Sequence, residues 1–317
     1  EYYVNNISVK EVTRDNVPRI DYTGGGCPHI LAEPMRTNLV TYSEDFSDSS
    51  WSKTGNVVVS SNTVVSPDGT LNGSTITGLN GAGSNDLRFT SSENPASITY
   101  TSSVYLKGSG TLRLQMSNNV DDAESTILTL TSSWVRYNLT HTFNSTSGTL
   151  ALTLDDSGGT ATTYDIWGAQ LEVGSYATSY IPTSGSTVTR NQDQFTRDGI
   201  GSLINSTEGV LFVEMAALSN DLTFRYVSLT DGTGSNCIRL YYTTTSNSIT
   251  YQVRFGGSLE VLSTVSVSDI TNFNKIAVKW KLNDFAIWIG GVEVATDTSG
   301  LTPTGMNRLG FDSSGGG

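Results

Sequence analysis

Hydrophobic and polar residues alternate with a period of two over much of the chain. In Thr111-Leu-Arg-Leu-Gln-Met116 the apolar Leu112, Leu114 and Met116 fall on one side and Arg113 and Gln115 on the other, the pattern of a half-buried strand. The same parity runs through Trp134 to Phe143, with Val135, Tyr137, Leu139 and Phe143 on one side, and through Leu150, Leu152 and Leu154. Turn clusters at Lys107-Gly-Ser-Gly110, Asn118 to Asp122 and Asp155 to Gly159 separate these runs at the spacing of an antiparallel sandwich. A second block predicts strands over Val210 to Ala216, Thr223 to Leu229, Ile238 to Tyr242, Ile249 to Phe255, Val261 to Val265, Asn274 to Leu282 and Phe285 to Ile289. Asn283-Asp284 and Gly290-Gly291 are hairpin dipeptides that tolerate positive φ and make the end of this block a meander. No helical periodicity competes, so the fold class is all-β, with two antiparallel β-sandwiches.

The boundaries read from this pattern are a lone strand in residues 1 to 13, a linker over 14 to 35, a first sandwich over 36 to 175, an extended linker over 176 to 202, and a second, incomplete sandwich over 203 to 317. The lone strand is marked by internal similarity. Residues 2 to 11 overlay residues 164 to 173, with Tyr2 on Tyr164, Val4 on Ile166, Ile7 on Ala169 and Val9 on Leu171. The apolar parity flips midway in both, as a β-bulge requires. Residues 164 to 173 close the first sandwich, so Val4, Ile7 and Val9 are expected to belong to a preceding module or a neighbouring subunit, paired by strand addition.

Composition narrows the function. The 317 residues carry 18 Lys and Arg against 30 Asp and Glu, a net charge of -12. An acidic chain without basic runs lacks the footprint of a nucleic-acid binder. The longest apolar runs are strand-sized, so no membrane insertion is expected. The sequence starts at Glu1 with no signal-peptide pattern, as a processed chain or a fragment would. Cys27 and Cys237 lie too far apart to suggest a disulfide framework or a thiolate metal site, and only His29 and His141 are present for a metal centre or a Ser/His/acid triad. Asn-x-Ser/Thr sequons at Asn6, Asn72, Asn138, Asn144 and Asn205 occur about as often as chance gives.

Two longer runs carry a resemblance. Pro18 to Pro28, Leu31-Ala-Glu-Pro-Met-Arg-Thr-Asn-Leu39 and Ser43-Glu-Asp-Phe46 with Trp51 resemble the start of carbohydrate-binding-module-like jelly rolls of bacteriophage tail and head fibre proteins. Trp167-Gly-Ala-Gln-Leu-Glu172, Ser179-Tyr-Ile-Pro-Thr183 and Val188-Thr-Arg190 resemble the end of that module. Asn274 to Val278, Asp284 to Trp288 and Gly291 to Val294 are similar to laminin-G or concanavalin-A-like lectin domains found on the same proteins. The resemblance implies a jelly roll followed by a lectin-like sandwich in an extracellular fibre.

Sugar binding needs aromatic faces for C–H surfaces and polar groups for hydroxyls. If the apolar parity faces the core, then Tyr105, Arg113, Gln115, Trp134 and Arg136 project outward from the first sandwich, and Arg239, Tyr241, Gln252 and Arg254 from the second. Trp280 and Trp288 fit the core or an edge. The carbohydrate-binding candidates are therefore Tyr105, Arg113, Trp134, Arg136, Arg239, Tyr241 and Arg254. Catalysis by a retaining glycosidase would require two carboxyl groups about 5 Å apart, and Glu214, Glu260, Glu293 and Asp297 are isolated in sequence. No enzyme is expected. No cofactor is expected either, although Asp121-Asp122 with Glu124, and Asp155-Asp156, could supply oxygens to calcium. The expected partners are surface glycans and copies of the chain or other fibre subunits. The expected function is a non-catalytic, glycan-binding segment of an extracellular virion fibre. The alternatives are a filament protomer assembled by strand exchange and a glycan-degrading enzyme.

Overall fold

A computed structural model describes residues 18–22, 27–95, 97–120 and 122–311. The expected strand carrying Val4, Ile7 and Val9 lies outside the described residues. The chain divides into one compact unit, Glu33–Gln192, and a second made of Asp193–Gly317 with the residues up to Ala32. Apart from one 3-10 turn at Gly201–Leu203, the regular structure among the described residues is β. No helix there is long and apolar enough to cross a membrane.

The first unit is a sandwich of two five-stranded antiparallel sheets. One sheet orders Ala123–Thr129, Thr111–Ser117, Ala151–Asp155, Asp86–Thr90 and Trp51–Lys53. The other orders Val135–Thr142, Thr99–Gly108, Thr163–Val173, Gly73–Thr77 and Val58–Val64. The period-two reading holds in the central strands: Leu112, Leu114, Met116, Leu152 and Leu154 are buried between the sheets with Val104, Leu106, Ile166 and Leu171. Phe46, Trp51 and Phe89 fill one end, with ring centroids 4.9 and 5.6 Å apart in successive pairs. Val135 departs from the expectation. It is 37% exposed because its strand is the sheet edge, where a neighbour is missing on one side. The parity flip in Thr163–Val173 is a bulge between Trp167 and Gln170, with Gly168 at φ 63°.

The two segments that the sequence assigns to linkers are folded. Within residues 14 to 35, Arg19–Asp21 and His29–Leu31 form a two-stranded hairpin. Within 176 to 202, Val188–Arg190 pairs with Arg36–Asn38, and Thr196–Arg197 pairs with Arg308–Gly310. Residues 176 to 190 form a strap along the first unit, fixed by side chains rather than by a long ladder. Buried Asn38 donates to the carbonyls of Ala169 and Ile181 and accepts from the N–H groups of Val40 and Leu171. Buried Glu172 accepts from the Thr178 N–H and hydroxyl, and Glu33 pairs with Arg190 at 2.9 Å.

The second unit packs a six-stranded sheet on a four-stranded one. The first orders Thr196–Arg197, Arg308–Gly310, Arg225–Thr230, Cys237–Tyr242, Ser248–Phe255 and Ser258–Ser266. The second orders Glu208–Met215, Asn274–Lys281, Phe285–Ile289 and Val292–Asp297. Ile238, Leu240, Tyr251, Val253, Ile276, Val278, Trp280 and Ile287 form its core. The meander turns use positive φ at Asn283, Gly290 and Gly291, as their residue types predict. Cys27 is exposed, Cys237 is buried, and neither forms a disulfide.

Candidate functional site

The six-stranded sheet of the second unit brings together the most complete set of sugar-binding chemistry. Strand alternation sends Ile238, Leu240, Tyr251 and Val253 to the core, so the residues between them share the opposite face. The register places Tyr226 beside Tyr241 and Tyr241 beside Thr250, while Ser228, Arg239 and Gln252 form the next row and Thr230, Cys237 and Arg254 the one after. At one end, Phe224 and Tyr226 stack at 6.0 Å with an interplanar angle of 19°, and Tyr226 lies 4.8 Å from Tyr241. Phe224 is 48% exposed. Burial raises the pKa of both phenols, so Tyr226 and Tyr241 keep their hydroxyl protons near neutrality.

Beside the rings lie two guanidinium groups. Arg239 donates to the Gln252 side-chain oxygen at 3.2 Å, and Arg254 donates to the Gly257 carbonyl at 3.0 Å. The Nε of Arg254 is buried and has no hydrogen-bond partner among the described residues. The sequence-predicted Arg239, Tyr241 and Arg254 therefore share one face, as expected. Tyr241 departs in one respect: it is only 9% exposed, because Phe224 and Tyr226 pack against it. The accessible rings are Phe224 and Tyr226, which sequence parity did not select. Their signal was the antiparallel register that sets Tyr226 opposite Tyr241, which is readable only once the strands are paired.

The platform expected on the first sandwich does not form. Tyr105 and Arg136 share the outer face of one sheet, where Arg136 lies over the Tyr105 ring at 5.5 Å. The strap closes over them: Arg136 donates to the Thr178 carbonyl at 2.6 Å, and the ring of Tyr180 lies 4.6 Å from Trp167, which lies 5.3 Å from Tyr105. Arg113 is on the other sheet, bound by Asp155 at 2.9 Å. Trp134, at a strand start, donates its indole N–H to the Val65 carbonyl and lies under the Lys107 ammonium. These four residues are thus divided among three places and committed to internal contacts.

Two polar hollows remain on this unit. One, of about 360 Å³, is lined by Tyr42, Glu44, Asn62 and Asn72, and a shallower groove of about 570 Å³ by Arg88, Gln115, Asn119 and Val120. Glu44 is already engaged with the Tyr180 hydroxyl and the Asn72 amide, and the groove offers no aromatic ring. Neither combines a stacking face with an unneutralised cation.

Of the four carboxylates singled out in the sequence, Glu214 and Glu293 do not come together. Glu214 and Glu293 sit on opposite edge strands of the four-stranded sheet, three strand spacings or roughly 14 Å apart across it. Glu260 belongs to the other sheet and accepts from the Leu301 N–H, while Asp297 caps a turn through Ser299. Among the calcium candidates, Asp122 accepts from His141 at 2.7 Å and from the Asn144 N–H at 2.6 Å. The Asn144 N–H and then the His141 ring lower its pKa. Asp155 is bound to Arg113, and Asp156 receives N–H groups from a neighbouring loop. Among the described residues no three His, Cys, Asp or Glu side chains gather in a metal-ligating group.

No protein-family model matches the sequence, and no curated protein matches it. Solved structures do. The enzymatically active domain of tailspike protein 4 of bacteriophage CBA120 aligns over 43% of this chain and 21% of its own, at 12% identity and a TM-score of 0.36. The chain thus spans about a fifth of that tailspike. The N-terminal tandem CBM22 domain of Paenibacillus barcinonensis Xyn10C aligns over 96% of this chain and 98% of its own, at 12% identity and a TM-score of 0.32. Domains LG4-5 of the mouse laminin α1 chain align over 75% and 81%, at 11% identity and a TM-score of 0.25.

Proposed function

We propose that the chain is a non-catalytic glycan-binding segment of an extracellular fibre, and that it holds carbohydrate on the outer face of the six-stranded sheet. The observation that carries this reading is the row of Phe224, Tyr226 and Tyr241 next to Arg239, Gln252 and Arg254. Aromatic faces take up the C–H surface of a sugar ring, and the phenol, amide and guanidinium groups meet its hydroxyls. The site is a shallow sheet face rather than a cleft, which suits weak monovalent binding strengthened by repetition along a fibre.

The test is binding of the intact chain to a panel of immobilised bacterial surface polysaccharides. Phe224→Ala and Tyr226→Ala should each weaken the best ligand about tenfold, since base-free ring stacking of this kind contributes on the order of 1 kcal/mol or more per ring. Tyr105→Ala on the first sandwich should leave binding unchanged. The reverse ranking would move the site to the first unit and refute this placement.

A further inference from the structure

Arginine pairing among the described residues leaves four without a carboxylate within 4.0 Å, and two of them share one face. Among the 11 arginines that lie in described residues, seven sit within 4.0 Å of a carboxylate, as Arg113 does with Asp155 and Arg225 with Asp221. In a chain with 30 acidic residues against 18 basic ones that is the expected condition. Of the other four, Arg136 is held by the Thr178 carbonyl and the Ser103 hydroxyl and Arg197 stands on the edge strand Thr196–Arg197, whereas Arg239 and Arg254 lie together. They are diagonal neighbours on adjacent strands of one face, which places their backbones about 7–8 Å apart. Each makes a single hydrogen bond to a neutral oxygen, from Gln252 or Gly257, and among the described residues neither lies within 4.0 Å of a carboxylate. The nearby acid Asp231 is turned to its own loop, accepting from Thr233 and from Asn236.

We infer that the glycan held on this face is anionic, a polysaccharide carrying carboxylate or sulfate groups; this inference rests on the placement of the glycan site in the preceding section. Two guanidinium groups retain most of their N–H donors for a ligand, and a guanidinium fork matches a carboxylate or sulfate in bidentate geometry. Tyr226 lies in the row next to Arg239, with Phe224 stacked on it, and the two rings would take the ring faces of the same chain, so an acidic sugar is held by charge at one end of the face and by stacking at the other. Nucleic acid fits less well, because its binders spread cationic contacts over many phosphates and this face offers two guanidiniums.

The experiment uses the full chain and four probes: polygalacturonate, sulfated dextran, unsulfated dextran and single-stranded DNA, each at 50 and 500 mM salt. Binding of at least one acidic polysaccharide should exceed that of unsulfated dextran and fall at least tenfold at the higher salt. Arg239→Gln with Arg254→Gln should remove that preference, while Lys275→Gln with Lys281→Gln, an equal loss of charge on the other sheet, should not. The salt response of the unaltered chain reads the inference independently of whether the Arg variants fold. Binding of unsulfated dextran as strong as that of both acidic polysaccharides, equal loss in the two double variants, or a preference for DNA would overturn the inference while leaving a glycan site in place. Binding of none of the three polysaccharides would overturn both the inference and the reading beneath it.

Discussion

Asp156 is fully buried and holds a charge in the first sandwich, which only its donors make tolerable. Its two oxygens accept from the N–H groups of Asn80, Gly81, Gly83 and Asn85 and from the Asn85 side-chain amide, at 2.7 to 3.4 Å. Burial opposes ionisation, but these donors outweigh it and hold the carboxyl below the usual carboxylate range. A folded-state pKa below the unfolded value gives stability that is present above the unfolded value, near 3.9, and is lost as pH falls through the folded one. Asp156→Asn should therefore cost about 3 kcal/mol at pH 7, because the new amide group faces N–H donors. It should also flatten the acid limb of the stability curve below about pH 4. Urea unfolding of both proteins at pH 7 and pH 3 measures this; equal midpoints at pH 7 would show that the loop is held by other contacts. In the sequence Asp155-Asp156 reads as a solvated turn or a calcium candidate and not as a loop anchor, because the donors arrive from residues 80 to 85 and nothing local marks them.

At the scale of elements, what could be read in advance was whatever repeats locally. Alternation located the central strands, and dipeptides with positive φ located the meander turns. The bulge at Gly168 was visible as a break in parity. The strap could be read only as an ordered linker or an extended strap, since residues 176 to 190 carry no alternation and nothing in them says what they lie against. Their order comes from single buried polar side chains in distant segments, and most of these lie in the very runs that carry the resemblance to fibre jelly rolls. Asn38, Gln170, Glu172, Thr178 and Thr183 are glue for the strap rather than ligand-binding groups. That closure is also why Tyr105 and Arg136, outward-facing by parity, are not a platform. Asn38→Ala should cost about 3 kcal/mol, since it strips partners from two carbonyls and two N–H groups in a buried site. Asn38→Asp should fare no better, because it replaces the amide donor with a charge facing the carbonyls of Ala169 and Ile181. Thermal unfolding followed by near-ultraviolet circular dichroism distinguishes this from a tolerant surface position, where both changes would be neutral.

For the whole molecule, the strap sets where the first sandwich ends. Strand pattern alone bounds it at residues 36 to 175, whereas the contacts bound it at Glu33–Gln192. The difference is energetic as well as geometric. A fragment of residues 36 to 175 keeps Glu172, which is fully buried, with the Gln170 amide at 2.7 Å and the Arg36 guanidinium at 3.8 Å, but removes the Thr178 N–H and hydroxyl that complete its shell, and it removes both members of the Glu33–Arg190 pair. It also uncovers Trp167 and Tyr105 by deleting Tyr180, and leaves Asn38 without the Ile181 carbonyl. Stripping two hydrogen bonds from a buried carboxylate costs about 3–6 kcal/mol, a large share of the 5–15 kcal/mol that holds a domain of this size together. The fragment Glu33–Gln192 should therefore unfold cooperatively in urea as a stable domain, and the fragment 36 to 175 should be largely unfolded or aggregate at neutral pH. Restoring residues 176 to 192 to the shorter fragment while keeping its start at residue 36 should recover most, but not all, of the stability, because Arg190 would then lack Glu33. Equal urea midpoints for the fragments 36 to 175 and Glu33–Gln192 would mean that the strap only lies on a sandwich complete without it, and the face carrying Tyr105, Arg136 and Trp167 would then become the next place to look for a ligand.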